Sequence, residues 1–571
     1  MDELLLGLDI GSSSSKAVLV EPDGAVVARA QRAHTLSLPR PGWVEHDAEA
    51  VWWADVRGLL GEFGREALAA VRGVCVSGIG PCLLAADGSG QPLRPAILYG
   101  IDTRASAEVE ELTERYGAAA VLSSGGSPLT SQAIGPKLLW LRRHEPEVWR
   151  RTRRLLMASS FAVHRLTGEY VLDHHSASQC NPLYDLSAQG WRQDWAAEIA
   201  PGLPLPRLLW AGETAGTITP EAAAETGLPA GVPVAAGTID AWAESLGAGA
   251  VAAGDLMLAY GTTMFFVHVA PAARPHPLLW LTAGITRGSR TMAAGMATSG
   301  ALTGWLREVA GGVAFERLIA EAAAVGPGCD GLVALPYFAG ERTPLFDPEA
   351  RGVIAGLTLT HSRGHLYRAL LEATAFGVRH NLETMQLAGG NPTRIVAVGG
   401  GTRGGLWTQI VSDVTGRPQQ LPRLTIGASY GDAQLAGAAA GLTTLESPWN
   451  PVDEEVHPDP TPRDTYQELY AIYRELYPAT RGLAHRLARL QLAAGRVTGA
   501  RDDRAQAAGA QPAGAQAAAQ AAGAQAAVSH AEVAHAGGDH GAGGEPPADR
   551  ADRAQPATPS EPITLGQRGL G

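Results

Sequence analysis

The chain has 571 residues, of which 45% are hydrophobic and 18% charged, and its formal net charge is −12. At roughly 150 residues per domain this length allows two to four domains, each with its own core, and an acidic chain without a polybasic arm is excluded as a general nucleic-acid binder. Lysine occurs only at Lys16 and Lys137, neither in a Gly-Lys-Ser/Thr context, so a Walker-A phosphate loop is excluded as well.

The chain opens as strand, turn, strand. LLLGLDIG (4–11) precedes SKAVLVEP (15–22), a Pro-Asp-Gly turn spans 22–24, and AVVARAQRAH (25–34) follows. The spacing predicts a helix over Ala48–Ala70 with Asp47 as its N-cap, then an apolar strand VRGVCVSGIG (71–80). Further on, VPVAAGTID (232–240) reads as a strand running into a helix. LMLAYGTTMFFVHV (256–269) reads as a second hairpin, and RIVAVGGG (394–401) as a strand before the helix LWTQIVSDVTG (406–416). Strands alternating with helices indicate an α/β fold. The two hairpins, each turning at Gly followed by Ser or Thr, suggest one domain duplicated. After Arg496 the composition becomes Ala/Gln/Gly-rich; from Arg501 onward 5 Arg stand against 8 Asp and Glu, with no aromatic residue. Such a segment buries too little apolar surface to offset its ordering entropy, and the expectation is a disordered tail.

Cys75, Cys82, Cys180 and Cys329 form no C-x-x-C pair, which argues against a zinc knuckle and for a reducing compartment. MDELLLGLDIG begins with acids and lacks the basic start of a signal peptide. The longest uncharged runs, such as Leu256–Ala273, are interrupted by Gly, His and Pro and make poor membrane spans. The expectation is a cytoplasmic protein that engages neither membrane nor nucleic acid.

Four motifs carry chemistry. In LGLDIGSSSSKAVLV, Gly11 permits close backbone approach, and the N–H groups and hydroxyls around Ser12 and Ser13 suit phosphate oxygens; Asp9 is an oxygen ligand suited to Mg2+. An ordinary hairpin turn explains the same residues equally well. Gly261, Thr262 and Thr263 form a second, weaker turn of this type. In VAVGGGTRGGLW, Gly399, Gly401 and Gly404 fit G-x-G-x-x-G, yet no acid follows about 20 residues on, so a glycine-lined nucleotide pocket at Gly399, Gly400 and Gly401 is preferred to a dinucleotide fold. In AGTIDAWAESLG, Asp240 lies at a strand–helix junction, either as a helix cap or as a general base facing a cleft.

In this order the segments resemble the FGGY family of carbohydrate kinases, from about residue 4 to 485. RGVIAGLTLTHSRGHLYRALLEATAFG (351–377) is similar to the family's C-terminal signature at Gly352, Ile354, Gly356, Leu357, His365, Leu366, Ala369 and Glu372. LPYFAGERTPLFDPEARG resembles its P-Y-x-x-G-E-R-x-P segment, and GWVEHDAEAVW (42–52) its G-W-x-E-x-D-P-x-x-W. The N-terminal signature matches at Lys137, Leu138, Trp140, Leu141 and His144 but not at Gln132 or Ile134. SYGD (429–432) resembles the loop that follows the adenosine-binding glycines. Within the family xylulokinases are the nearest likeness, through LRPAILYGIDTRA (93–105) and GPKLLWLRRHEPEVW (135–149). Two places depart from them: Ile79-Gly80-Pro81-Cys82 stands where they carry Gln-Met-His-Gly, and Ala241 where they carry Asn.

The resemblance implies two actin-like, ribonuclease H-like ATPase domains flanking a cleft. They are placed at 1–243, the sugar side with the catalytic Asp, and 244–490, the ATP side, with a tail at 491–571. It implies ATP and Mg2+ as cofactors, Asp240 as the base toward the sugar hydroxyl, and Asp9 at the metal. Gly11, Ser12, Ser13, Gly261, Thr262, Thr263, Gly399, Gly400, Gly401 and Gly431 would contact ATP, and Asp102 and Arg104 would contact the sugar unless they form a surface ion pair. Lys16 reads as a strand-face residue with no role in catalysis, and Trp43 either lines the sugar site or serves as an anchor. The expected reaction is phosphoryl transfer from ATP to a small sugar, first a ketopentose such as xylulose. The alternatives are another ketose or polyol such as ribulose or glycerol, and a non-catalytic ATP- and sugar-binding switch. A homodimer is an assembly this reading allows.

Overall fold

A computed structural model of the chain describes the backbone of residues 3–507 and the side chains of residues 3–491. Most of the segment expected to be disordered lies outside the described residues, from 508 onward. The helix Arg463–Ala507 runs on across the expected end at 490. Its Ala, Leu, Arg and Gln are strong helix formers, so backbone propensity favours continuing the helix.

Two seven-stranded sheets dominate. In the first, the order is Thr214–Thr217, Pro233–Ala235, Val71–Gly78, Leu4–Ile10, Ser14–Val20, Val26–Ala33, and Thr238–Ile239 also pairs with Val71–Gly78. In the second, the order is Trp280–Ala283, Arg290–Met296, Met264–Val269, Asp255–Tyr260, Arg394–Val398, Gln419–Pro422, Val452–Val456. Each sheet has an antiparallel hairpin whose first strand pairs in parallel with a later strand: Leu4–Ile10 with Val71–Gly78, and Asp255–Tyr260 with Arg394–Val398. The sequence reading of a repeated hairpin holds at this level.

Burial follows position in the sheet. Leu4–Ile10 is buried along its whole length, as a central strand covered on both faces must be, and its apolar residues are nearly continuous. Val26–Ala33, at the edge, exposes the alternate residues Val27, Arg29 and Gln31, while Ala28 and Ala30 on its other face are half-buried and buried. The predicted helix after Asp47 is present in two pieces, an irregular turn Ala48–Trp53 and a helix Ala54–Ala69. Asp47 Oδ1 accepts from the N–H groups of Glu49 at 2.9 Å and Ala50 at 2.8 Å, satisfying two otherwise orphaned donors.

Two helices lie between the sheets and pack on each other: Asp240–Gly247 and Ala428–Ala439. Their apolar residues Trp242, Leu246, Leu435 and Ala436 share one core with Cys75 and Ala235 of the first sheet and Met257, Val267, Val396 and Val398 of the second. The contact is close enough to require glycine. A Cβ on Gly7 would sit 1.9 Å from the Ser429 carbonyl oxygen, and one on Gly431 would sit 1.8 Å from that of Ala243. The helix Ala428–Ala439, late in the chain, is thereby seated on the first sheet. No helix among the described residues is long and apolar enough to cross a membrane.

Candidate active site

Asp9 is the second-last residue of its strand. It faces Lys16 across the hairpin and Ser77 across the parallel pair. Directly opposed residues of a sheet project on the same face, so the Asp9 carboxylate, the Lys16 ammonium and the Ser77 hydroxyl converge. The short strand Thr238–Ile239 runs beside Ser77 and Gly78 and delivers Asp240 to the same end of the sheet. Asp240 is the first residue of its helix rather than the cap, which is Ile239, and its Oδ1 accepts from the Ala241 N–H at 2.7 Å.

The electrostatics bind these groups into one cluster. Burial, then the charge of Asp9, then that of Glu244 push the Asp240 carboxyl up to about 8, while Lys16 opposes the rise. Asp9 is raised by burial and held back by Lys16 and His34. Glu244, one turn on from Asp240, is raised by burial and by Asp9. Asp432, on the other helix between the sheets, is raised well above the carboxylate range by burial; it accepts from Ser77 Oγ at 2.6 Å. Asp9, Asp240 and Glu244 thus crowd around one lysine, with Asp432 within the reach of Asp9, and burial with this crowding raises each of the four carboxyls.

Asp9 Oδ1 is buried and has no hydrogen-bond partner among the described residues. A hard oxygen donor in that state fits Mg2+, which keeps several waters and takes one or two carboxylates together with phosphate oxygens. Among the described residues no group of three or more His, Cys, Asp and Glu side chains is gathered to hold a metal.

Each turn closes on a main-chain hydrogen bond from its glycine: Gly11 N–H donates to Ser14 O, three residues on, and Gly261 N–H to Thr263 O, two residues on, each at 3.1 Å. The second turn is braced by the helix Gly300–Val309: the N–H groups of Ser299 and Ala301 donate to Thr262 O, and that of Gly300 to Gly261 O, at 3.0–3.1 Å. Ser299 Oγ is buried there without a hydrogen-bond partner among the described residues. Gly399 follows its strand at φ +95, and a Cβ there would lie 2.7 Å from the Tyr260 carbonyl oxygen. A Cβ on Gly401 would meet Trp407 and Tyr260 at 2.8–2.9 Å. Gly399–Gly401 therefore close upon the second hairpin, with Gly400–Thr402 forming one 3-10 turn.

Three residues expected to touch ligands are placed otherwise. Gly431 is enclosed in the helix crossing against Ala243, so its lack of a side chain serves packing and not nucleotide access. Asp102 and Arg104 are not a surface ion pair: both side chains are fully buried. Arg104 Nη2 lies 2.7 Å from Asp102 Oδ2, which also accepts the Val44 N–H at 2.7 Å. Arg104 also reaches Glu45 at 2.8 Å and lies 4.0 Å over the Trp43 ring. With its acceptors and donors taken inside the chain, the pair fixes Trp43 and the segment around it.

Other residues stand at the site that the sequence did not single out. Lys16 is the lysine amid the carboxyls, and its Nζ comes within 4.0 Å of where a Gly427 Cβ would be. Tyr99 is pushed up to about 12 by burial and the charge of Asp240. Arg342, from the G-E-R-x-P segment, feels Tyr99 and Glu341; its Nη2 donates to Met296 O at 2.7 Å and its buried Nε has no partner. Cys82 lies within the electrostatic reach of Asp240 and Lys137. The i, i+4 spacing of Glu244 to Asp240 is a local signal that could have found it, whereas the register that sets Lys16 opposite Asp9 is visible only in the folded sheet.

Residues 4–247 match the FGGY family of carbohydrate kinases, N-terminal domain, and residues 256–440 match its C-terminal domain. The chain is 30% identical over 489 residues to a xylulose kinase of Escherichia coli strain K12, covering 83% of this chain and 98% of that protein. It is 31% identical to a glycerol kinase of Nocardia farcinica, covering 77% and 91%. Its fold is similar to the crystal structure of xylulose kinase from Rhodospirillum rubrum, with a TM-score of 0.78, 35% identity, and coverage of 85% of this chain and 100% of that one.

Proposed function

Because the chain belongs to the FGGY family of carbohydrate kinases, and is accordingly a sugar kinase that phosphorylates an alcohol group, we propose that it transfers the γ-phosphoryl group of ATP to a hydroxyl of a ketopentose, xylulose first. The observation that carries this reading is Asp240: a half-buried carboxyl at the first turn of a helix, tuned to about 8 beside Asp9 and Lys16. A general base works best with a pKa near the working pH, and Asp240 has that value at the end of the strands where a hydroxyl must be held. We assign residues 1–243 and 244–490 as the sugar-side and ATP-side domains, with 491–571 as the tail.

In this mechanism Asp240 orients the acceptor hydroxyl and takes its proton as the oxygen attacks phosphorus. Lys16 opposes the rise at Asp240 and Asp9, favouring their ionised forms, and presents a cation to the transferring phosphoryl group. The turns at Gly11–Ser13 and Gly261–Thr263 offer N–H groups and hydroxyls to the phosphate chain, and Gly399–Gly401 shape the nucleotide side. Asp9 would hold Mg2+, which when bound would supply positive charge to offset that developing on the phosphate chain. Most of the acceleration on this scheme is positioning and electrostatics.

A second acceptor class is favoured by a specific feature. The segment Ile79-Gly80-Pro81-Cys82 is tied to the first hairpin by Ile79 N–H donating to Ile10 O at 2.7 Å, and Gly80 packs against Ile239 next to Asp240. It presents no side-chain hydroxyl, amide or imidazole there, so fewer sugar hydroxyls are read, which suits another ketose or a short polyol such as glycerol. A panel of ketoses, aldoses and polyols with ATP and Mg2+, read as ADP formation, decides. The expected result is turnover greatest with xylulose and abolished by Asp240→Ala. Turnover only with glycerol selects the polyol; nucleotide binding without turnover on any acceptor overturns the kinase reading in favour of a binding switch.

A further inference from the structure

A carboxylate and a peptide carbonyl both accept hydrogen bonds, and His34 stands between one of each. Its Nδ1 is 2.7 Å from Asp55 Oδ2 and its Nε2 is 3.1 Å from the Gly11 carbonyl oxygen. Each ring nitrogen thus has a partner of its own. The main-chain N–H of His34 donates in addition to Ser13 O at 2.9 Å. One residue therefore takes the Gly11 and Ser13 carbonyls of the first turn together.

Its surroundings hold it in place. Asp55 Oδ2 also accepts from Ser15 Oγ at 2.8 Å, and Asp55 Oδ1 lies 3.6 Å from Arg32 Nε. The His46 ring meets His34 edge-on at 5.0 Å between centroids, and Trp52 Nε1 donates to His46 Nδ1 at 3.1 Å. Burial pushes His46 down to about 4, so it adds no competing charge. The remaining charge that His34 faces is Asp9. The His34 side chain is only 7% exposed.

We propose that His34 is the positioning residue of the first phosphate turn: strapped to Asp55 through one ring nitrogen, it holds the Gly11 carbonyl with the other and the Ser13 carbonyl with its main-chain N–H, drawing both to one side. The N–H groups and hydroxyls of Ser12 and Ser13 are then left for anionic oxygens. The second turn supports this reading, because there the main-chain N–H groups of Ser299, Gly300 and Ala301 take the carbonyls of Gly261 and Thr262. The same backbone need is met once by a helix start and once by a histidine. The proposal rests on the ATP-dependent reading of this site.

The test uses the full chain with His34→Leu and His34→Gln. Leu removes the donor; Gln keeps a side-chain N–H at similar reach. The expected result for His34→Leu is faster amide hydrogen exchange confined to residues 9–16 and a KM for ATP raised about tenfold, the cost of one charge-assisted hydrogen bond, with the KM for sugar unchanged. His34→Gln restores most of both. Unchanged exchange at 9–16, or equal losses in both variants and for both substrates, overturns the proposal. The exchange measurement needs no turnover. A wild type that never turns over ATP therefore sinks the kinase reading separately.

Discussion

Asp9 pairs across its hairpin with Lys16 and beside Ser77; the residues in the same places of the second sheet are Ala259, Phe265 and Val398. The backbone is the same: antiparallel hairpin, glycine turn, parallel neighbour. The side chains are opposite in kind. The first hairpin spends its central positions on two charges and a hydroxyl. The second spends them on packing, with Phe265 set against Trp242 at 6.0 Å between ring centroids. A duplicated fold thus supplies a backbone turn twice and charge once. On the proposed reading, the half that must manage a proton carries titrating groups, and the half that must only hold a nucleotide does so with main-chain N–H groups and glycine.

The largest expected effect that tests this contrast is at Asp240. Asp240→Asn keeps shape and hydrogen bonding but cannot take a proton; kcat is expected to fall by about 10³, as for loss of a general base, with KM for ATP little changed, measured by coupled ADP assay. An unchanged kcat would place the base elsewhere. Next comes Lys16→Met, expected to lower kcat/KM for ATP by about 10², the scale of one cation or donor aimed at developing charge. The matching change in the other hairpin, Phe265→Met, should move kcat/KM for ATP by less than about threefold, within the cost of a conservative core swap. If the two changes cost the same, the asymmetry between the hairpins is not functional.

The sequence made the hairpins, the Asp47 cap and the strand before Asp240 legible, because each rests on local pattern: apolar runs, turn residues, a capping side chain. Asp9 and Asp240 were legible as candidates for the same reason. What was not legible is what long-range packing decides. Nothing local distinguishes Gly431, which admits the Ala243 carbonyl, from a glycine that admits a nucleotide. Asp102 and Arg104 read as a polar pair, and only the fold shows that Glu45, Val44 and Trp43 enclose them. Lys16 was passed over as a strand-face residue; strand register puts it opposite Asp9, and the meaning of that face appears only once Asp240 and Glu244 arrive from 230 residues away.

A third contrast lies in how each sheet meets the helices between them. The first sheet admits the helix Ala428–Ala439 at Gly7; the position equivalent to Gly7 in the second sheet is Met257, a fully buried side chain. Gly7→Ala places a methyl 1.9 Å from a carbonyl oxygen that belongs to backbone and cannot rotate away. The expected cost is about 1–3 kcal/mol of stability, as for overpacking, seen as a lower thermal midpoint and lower soluble yield. Met257→Leu, a volume-conserving change, should cost less than about 1.5 kcal/mol. Equal midpoints for Gly7→Ala and wild type would mean that the helix is not seated as described.

The smallest expected effect follows from the crowding of carboxyls on the first side alone. The Asp240 carboxyl rises to about 8 in the folded chain against an ordinary value of 3.8. Between those values the folded state binds more protons at this position than the unfolded state does. Stability from this group is therefore fully present below the ordinary value and is lost as pH rises through about 8. Asp240→Asn removes the loss. Its thermal midpoint should exceed that of wild type by about 2 °C at pH 9, a small shift because the chain is long, and the excess should vanish at pH 4. The same substitution thus abolishes activity while steadying the fold, the behaviour expected where charge is crowded for function. A midpoint for Asp240→Asn that is lower than wild type at both pH values would show that the carboxyl is a structural support, and the contrast between a charged and a neutral hairpin would lose its functional meaning.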